Sequence, residues 1–497
     1  MVKHRTTPAA MKMLMEGQLA LAEIEHAGLR IDKAYLDFAL GDTARQIKEM
    51  EFRLREDKVY RQWRRAYGTR AKLSSRDQLA DLVFNHLGYE AKGMTRGGKR
   101  VKADKEALES VDLEFVRDYV KYEELKKARS TYLKGIASEA VETSDGWFVH
   151  PNYNLNTVVT FRSSSNSPNF QNQPNRNPFI AETVRKVYIP RRGRHVVESD
   201  LAQIEVRVPA AITGDDALRK YVLDKSTDMH RDQAREVFCC QSAPPEYWKD
   251  KKAGKPVRQT TKTNFVFASF YGSAFYNAAK KLWEDIDIFG LKGPGGVPMK
   301  EHLAGHGITE LDVVLVKDQR SGRMVLDHDP RPGSFGHHVR KCQENLWRTF
   351  SGYGAWRQAR VDAYRREGGL TMVTGCSVAG MLLGQNEIPN YHIQGPAFHC
   401  LLIALPRVIR RLRKYKMKAL VTGEIHDSMQ GDVPTRELND YLDVCHEAMT
   451  DYVMRTFDWL GDIPIEIEQE VSPRGASWFD KQEWVRGESG WALPAKS

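Results

Sequence analysis

Apolar residues recur at helical spacing through most of the first 140 positions. Leu14, Leu21, Ile24 and Ala27 share one helical face; Gly28 ends that helix, and Asp32 can cap the next. A second, charged amphipathic helix is expected to about residue 66, a short capped helix over 73–90, and a further helical segment over 113–141. The basic loop 91–105 carries Lys92, Arg96, Lys99, Arg100, Lys102 and Lys105 around Gly97-Gly98. It reads either as a solvated surface loop or as a tip that grips phosphates. The periodicity breaks at 148–180, where Ser, Asn, Gln and Pro dominate and a loop is expected. Arg162, Gln171, Asn172 and Arg176 in it carry amides and guanidinium groups, which suit minor-groove acceptors and the sugar-phosphate chain.

The period changes again at 195–208, HVVESDLAQIEVRV. Val196 and Val197 read as a short buried strand that runs into Asp200, and Ile204, Val208 and Ala211 then recur at helical spacing. A strand that ends on an acid and turns into a helix holds that acid rigidly at a sheet edge. A second acid in a similar setting is Asp427, in the hairpin pattern ALVTGEIHDSMQGDV of 419–433. Two such acids on adjacent strands would suit a pair of magnesium ions. Between them, 228–238 and 258–282 read as helical. Arg258 and Lys262 stand four apart on one face, and Phe267 and Tyr271 follow. That set matches a triphosphate lying beside a stacked base; the plainer reading is an amphipathic surface helix whose aromatics are core. Residues 284–335, rich in Gly and Pro, read as an inserted excursion with a hairpin over 313–329. His302 and His306 have i,i+4 spacing there but no third ligand nearby in the sequence. A helix returns over 342–367, and 386–415 is a polar helix start leading into a long buried helix. The stretch 462–480 reads as a strand and terminal turn packing near the second Asp.

Composition narrows the class. A chain of 497 residues, 41% hydrophobic and 28% charged, is expected to be a soluble globular protein of several subdomains. Its net charge of +10 suggests a polyanionic partner. Six cysteines without a CxxC argue for a reducing compartment and against a zinc site. No apolar run of about 18 residues occurs, and MVKHRTTPAA lacks the apolar stretch of a signal peptide, so a cytoplasmic protein without a membrane span is expected.

The order of these motifs resembles the family A DNA polymerases, bacterial DNA polymerase I and phage replicases, over nearly the whole chain. DLAQIEVRV is similar to that family's motif A, RQTTK…FYG to motif B and EIHDSMQ to motif C. SPNFQNQPNR, with TFR upstream, resembles the template-primer loop; NYHIQG resembles the template-contacting motif after the fingers, and EIEHAGLRID the start of the thumb. The resemblance implies an α+β right-hand fold with an antiparallel-sheet palm and helical fingers and thumb. The implied division is thumb 1–145, palm 146–215 and 401–497, and fingers 216–400 including the 284–335 insertion. It implies addition of dNTPs to a primer 3′-hydroxyl with release of pyrophosphate, on two Mg²⁺ ions for which Mn²⁺ can substitute.

The residue roles implied are these. Asp200 and Asp427, with the Leu201 carbonyl, hold the metals. His230, Arg258 and Lys262 bind the triphosphate, Lys262 can protonate the departing pyrophosphate, and Gln203 is a further dNTP-binding residue. Glu205, hydrogen-bonded to Tyr271, excludes a 2′-hydroxyl. Phe267 stacks near the incoming base, and a Phe there implies discrimination against dideoxynucleotides. Arg162, Gln171, Asn172, Arg176, Asn390, Gln394 and His426 track the primer-template DNA. Three departures stand out. Lys262 and Tyr271 are nine residues apart where the family has eight, which places them on opposite faces of a regular helix and predicts a one-residue π-bulge. Without a bulge, Phe270 and Val266 take the aromatic positions. Ser428 stands where many relatives carry Glu, and Asn386 where relatives often have Arg. The helical thumb pattern begins within about twenty residues of Met1, so no proofreading is expected on this polypeptide; a separate exonuclease or processivity subunit is compatible with the sequence. A phage origin fits this compact form. The competing readings are a single-subunit RNA polymerase, against which Glu205 and the NQPNR loop argue, and an inactive duplex-binding relative; activity on RNA templates is a lesser variant.

Overall fold

The computed structural model describes residues 4–89, 108, 111, 113–175, 177–318, 324–488 and 490–494. The basic loop 91–105 and Arg176 lie outside the described residues. In chain order, the elements that position the site are α1 (Pro8–Ala27), α2 (Lys33–Glu56), β1 (Arg194–Leu201), α3 (Ile204–Thr213), α4 (Met229–Val237), α5 (Gly254–Thr261), α6 (Phe275–Ile288), α7 (Glu387–Lys414), β2 (Leu420–Ile425), β3 (Ser428–Pro434), α8 (Leu438–Met449), β4 (Ile467–Val471), β5 (Gln482–Gly487) and β6 (Gly490–Ala492). The chain divides into two compact units. One comprises Met1–Gln46, Glu124–Leu223 and Gly352–Ser497; the other comprises Ile47–Glu123 and Asp224–Ser351.

The first unit is built on a six-stranded sheet of order β2-β3-β1-β4-β5-β6, antiparallel throughout. Alternation along β1 puts the buried Val197, Ser199 and Leu201 on one face and Glu198 and Asp200 on the other. Helices α7 and α8 pack against the sheet and each other. The long α7 is buried almost all round through Ile393, Phe398, Leu401, Leu402, Leu405 and Val408. Each such side chain contributes about 1.5–3 kcal/mol of burial. Helix α1 lies against α7 at Gly17, where an added Cβ would overlap the Leu402 side chain. Gly28 ends α1 at φ 65°, and Asp32 accepts the Tyr35 N–H at 2.9 Å at the start of α2, as the sequence suggested.

The second unit holds α4, α5 and α6. Asp228 caps α4 by accepting the Arg231 N–H at 3.1 Å. After α5 the chain widens into a π-helix over Lys262–Phe267 and is helical again through Phe270. The bulge that the nine-residue spacing predicts is therefore present. Residues Leu315–Lys317 and Met324–Leu326 pair as the expected hairpin within 313–329.

Several expectations need correction. The second helix stops at Glu56, because Asp57 accepts the Val59 N–H at 2.7 Å and starts a new helix, Lys58–Tyr67. The stretch 148–180 is not wholly loop: Asn152–Asn154 pairs with Ser164–Asn166, and Asn177 caps a helix over Pro178–Arg185. The 258–282 helix breaks between Phe270 and Phe275. The helical return near 342 is two helices, Phe335–Thr349 and Ser351–Glu367. Strand β4 pairs with β1 on the side away from β3, so it comes near the second Asp through Asp200 and Leu201.

Candidate active site

In the first unit, β1 carries Asp200 to the end of the sheet, and β2 and β3 are joined by the two-residue turn His426-Asp427. The β3–β1 register sets Ser428 opposite Asp200, which brings Asp427 beside it. The Leu201 N–H donates to the Asp427 carbonyl at 3.1 Å, so the backbone ties the two acids together. Their side chains are near enough for each to shift the other's titration. Both carboxyls are held well above the usual carboxylate range. For Asp200 the causes are burial, then the charges of Asp427, Glu198 and Glu468; for Asp427 they are burial, then Glu205, against which Arg162 pulls downward. Two carboxylates in contact cannot both stay charged without a proton or a cation between them. An all-oxygen donor set of this kind suits Mg²⁺ or Mn²⁺ completed by substrate oxygens and water. Among the described residues, no group of three or more His, Cys, Asp or Glu is placed to hold a metal ion.

Two residues of this centre have left-handed backbones: Gln203 at φ 52° and His426 at φ 59°. Such a conformation costs a non-glycine residue about 1–2 kcal/mol, which the surrounding structure has to offset. Gln203 is exposed at the start of α3, and Glu205 is half-buried in its first turn. Gly423, at the bulge in β2, lets Phe170 approach; a Cβ there would meet its ring at 2.6 Å.

Arg162 lies beside this cluster, since its charge acts on Asp427, His426 and Glu424. Asn172 is exposed and lines a groove of about 440 Å³ with Lys127, Thr131, Tyr132 and Gln173. Asn390 and Gln394 are half-buried, one turn apart in α7. The Asn390 Oδ1 is buried without a protein partner among the described residues. Gln171 is 7% exposed, and its amide donates to Ser163 and Glu424. Sequence reasoning missed Glu424 and Ser163; the only signal was a Glu inside an otherwise apolar strand.

The second unit gathers the cations. Asp228 accepts the Arg258 Nε–H at 2.6 Å. Burial raises the Asp228 carboxyl, but Arg258 and the Arg231 N–H outweigh this and hold it low. His230, buried, is pushed down to about 4 by burial and then by Lys262 and Arg258. It is therefore a neutral imidazole at pH 7, and its Nδ1 has no protein partner among the described residues. The Lys262 Nζ lies 5.4 Å from the centre of the Phe267 ring, which stands 5.4 Å from the His230 ring and 6.3 Å from that of Tyr271. The π-helix thus puts Lys262, Phe267 and Tyr271 on one side. Val266 and Phe270 turn into the core instead, Phe270 against Trp347 and Phe350. A row of Arg, Lys and neutral His near a helix N-terminus suits a polyanion.

The model of the DNA polymerase family A matches residues 43–287, which include Asp200, His230, Arg258, Lys262 and Tyr271. The thermostable DNA polymerase I of Thermus thermophilus is 29% identical over 446 residues, 86% of this chain and 44% of that protein. That of Thermus filiformis is 30% identical over 477 residues, 93% of this chain and 47% of that protein. The chain spans less than half the length of these relatives. Among solved structures, the POL domain of Pol1 from M. smegmatis, in complex with DNA primer-template and dNTP, aligns with a TM-score of 0.67 at 19% identity, covering 94% of this chain and 70% of that one. That likeness shows the fold, the α+β right-hand class expected from the sequence. The chain is thus similar to DNA polymerase family A both in sequence and in fold. No helix among the described residues is long and apolar enough to cross a membrane.

Proposed function

We propose that the chain is a template-directed DNA polymerase that adds dNTPs to a primer 3′-hydroxyl and releases pyrophosphate. The observation that carries this is the meeting of Asp200 and Asp427, 227 positions apart in sequence, at the end of one sheet. The family relatives and the primer-template complex of the fold neighbour support the same substrates. Asp200, Asp427 and the Leu201 carbonyl would hold two Mg²⁺ ions. When bound, these would make the 3′-hydroxyl more acidic and neutralise the triphosphate.

The chain's own groups do the rest. Arg258, Lys262 and the neutral His230 grip the triphosphate, and Gln203 is a further dNTP-binding residue. Lys262 gives a proton to the leaving pyrophosphate oxygen. Glu205 closes the space a 2′-hydroxyl would need, and Phe267 stacks near the incoming base. Arg162, Asn172, Asn390, Gln394 and His426 follow the primer-template. The test is extension of a labelled primer on a gel, with wild type and Asp200→Asn, in the presence of Mg²⁺. Stepwise extension by dNTPs that the substitution abolishes supports the reading; extension by NTPs alone, or by the variant as well as by wild type, overturns it. Shortening of the primer, which this reading does not expect, is followed in the same gel.

A further inference from the structure

Two arginines sit on the packed face of the helix Ser351–Glu367. Tyr353, Val361 and Tyr364, all buried, mark that face, and Arg357 and Arg360 fall between them at helical spacing. The face is fixed to α7 and the segment before it. Trp356 meets the buried His392 at 5.9 Å between ring centres, and the Tyr364 hydroxyl donates to the Met381 carbonyl at 2.6 Å. Both arginines are half-buried, and the Nε of each is buried without a protein partner among the described residues. A donor buried without an acceptor is costly, so these arginines are not there for stability alone. Arg360 lies near His392, on which its charge acts. Arg357 extends to the rim, where its Nη2–H donates to the Oδ1 of the exposed Asn386 at 2.6 Å.

A guanidinium only donates, so the Asn386 amide must offer its oxygen, and the pair has a fixed direction. An amide carries no charge, so Arg357 keeps its own. Arg407, by contrast, has its charge balanced by Glu447 at 2.8 Å. The acid beside Asn386, Glu387, accepts the Gly384 N–H at 2.6 Å. A guanidinium that is aimed but not neutralised suits an oxyanion such as phosphate. Asn386, Asn390 and Gln394 share one side of the start of α7. Arg357 therefore lies in line with the two α7 residues proposed to follow the primer-template.

We infer that Arg357, aimed by Asn386, grips a backbone phosphate of the bound DNA. The inference takes the nature of the ligand from the proposed polymerase reading and adds a contact to it. If wild type extends no primer, that reading fails; the outcomes below concern binding by an enzyme that does extend.

The first arm is fluorescence anisotropy of labelled primer-template between about 50 and 200 mM salt, with thermal melting to check the fold. Arg357→Ala weakens binding about tenfold and lowers the slope of log K against log salt by about 0.7–0.9. Asn386→Ala weakens it about threefold alone and adds nothing in the Arg357→Ala background. Asn386→Asp offers the guanidinium a stronger partner, so the fold is kept, yet binding falls as far as in Arg357→Ala because the carboxylate takes the charge. A folded Arg357→Ala protein with unchanged affinity and salt slope overturns the inference, as does an Asn386→Asp protein that binds like wild type. An Asn386→Ala loss that persists in full without Arg357 overturns the aiming role. The second arm places single neutral methylphosphonate linkages along the template or the primer strand. One linkage weakens wild type as far as Arg357→Ala does and has no further effect on that variant; its strand names the backbone that is held. If no linkage in either strand is masked by Arg357→Ala, the contact is not to a phosphate and the inference fails.

Discussion

Metal-free protein should become less stable as the pH rises through the region where Asp200 and Asp427 lose their shared proton. Both carboxyls sit above their ordinary range in the folded chain because of burial and neighbouring acids. The folded state therefore holds a proton that the unfolded state has already released above about pH 4. Stability is then full below the unfolded value and is lost as pH climbs toward the folded one, at up to about 1.4 kcal/mol per pH unit for each extra proton held. Asp200→Asn removes one of the two acids and with it the conflict, so its stability should vary less over the same range. Mg²⁺ should reverse the loss: at ten times its dissociation constant it stabilises by about 1.4 kcal/mol. The assay is urea unfolding in EDTA at pH 5, 6, 7 and 8, for both proteins, repeated with Mg²⁺ at pH 8. Parallel pH profiles for wild type and Asp200→Asn would refute the reasoning, because the slope would then come from other groups.

Three substitutions probe the nucleotide side. Glu205→Ala should admit ribonucleotides, raising the NTP-to-dNTP ratio of kcat/KM by about tenfold or more in single-nucleotide extension. Phe267→Tyr adds a hydroxyl beside the incoming nucleotide; a hydrogen bond of about 1–2 kcal/mol should raise dideoxynucleotide use roughly 5–30-fold, read from termination ladders. Asp228→Ala removes both the cap of α4 and the partner of Arg258. It should cost about 0.5–2 kcal/mol by chemical denaturation and raise the KM for dNTP, whereas a variant with unchanged stability would leave the cap without weight.

Local chemistry explains what could be read before the coordinates. The strand-to-helix turn at Asp200 and the His426-Asp427 hairpin are written in short-range pattern, and the structure has both. The π-helix was legible because one extra residue between Lys262 and Tyr271 is a phase error of about 100° that only a bulge absorbs. Burial then decides which side chains face out: Val266 and Phe270 are core, Phe267 and Tyr271 are not. Strand β4 was found, but its neighbour was not, because IEQEV alternates identically whichever strand it joins. Glu424 escaped notice for a related reason. Its partners Ser163 and Gln171 come from a segment more than 250 positions away, and no local pattern announces them.

The central claim is that residues 200 and 427 act as one unit. Single-turnover primer extension with Asp200→Asn, Asp427→Asn and the double variant tests it most directly. If the two carboxylates serve one metal-dependent step, each single change should cost about three orders of magnitude or more, and the double change little beyond either single one. Losses that multiply, or a single variant that extends at the wild-type rate, would contradict the account.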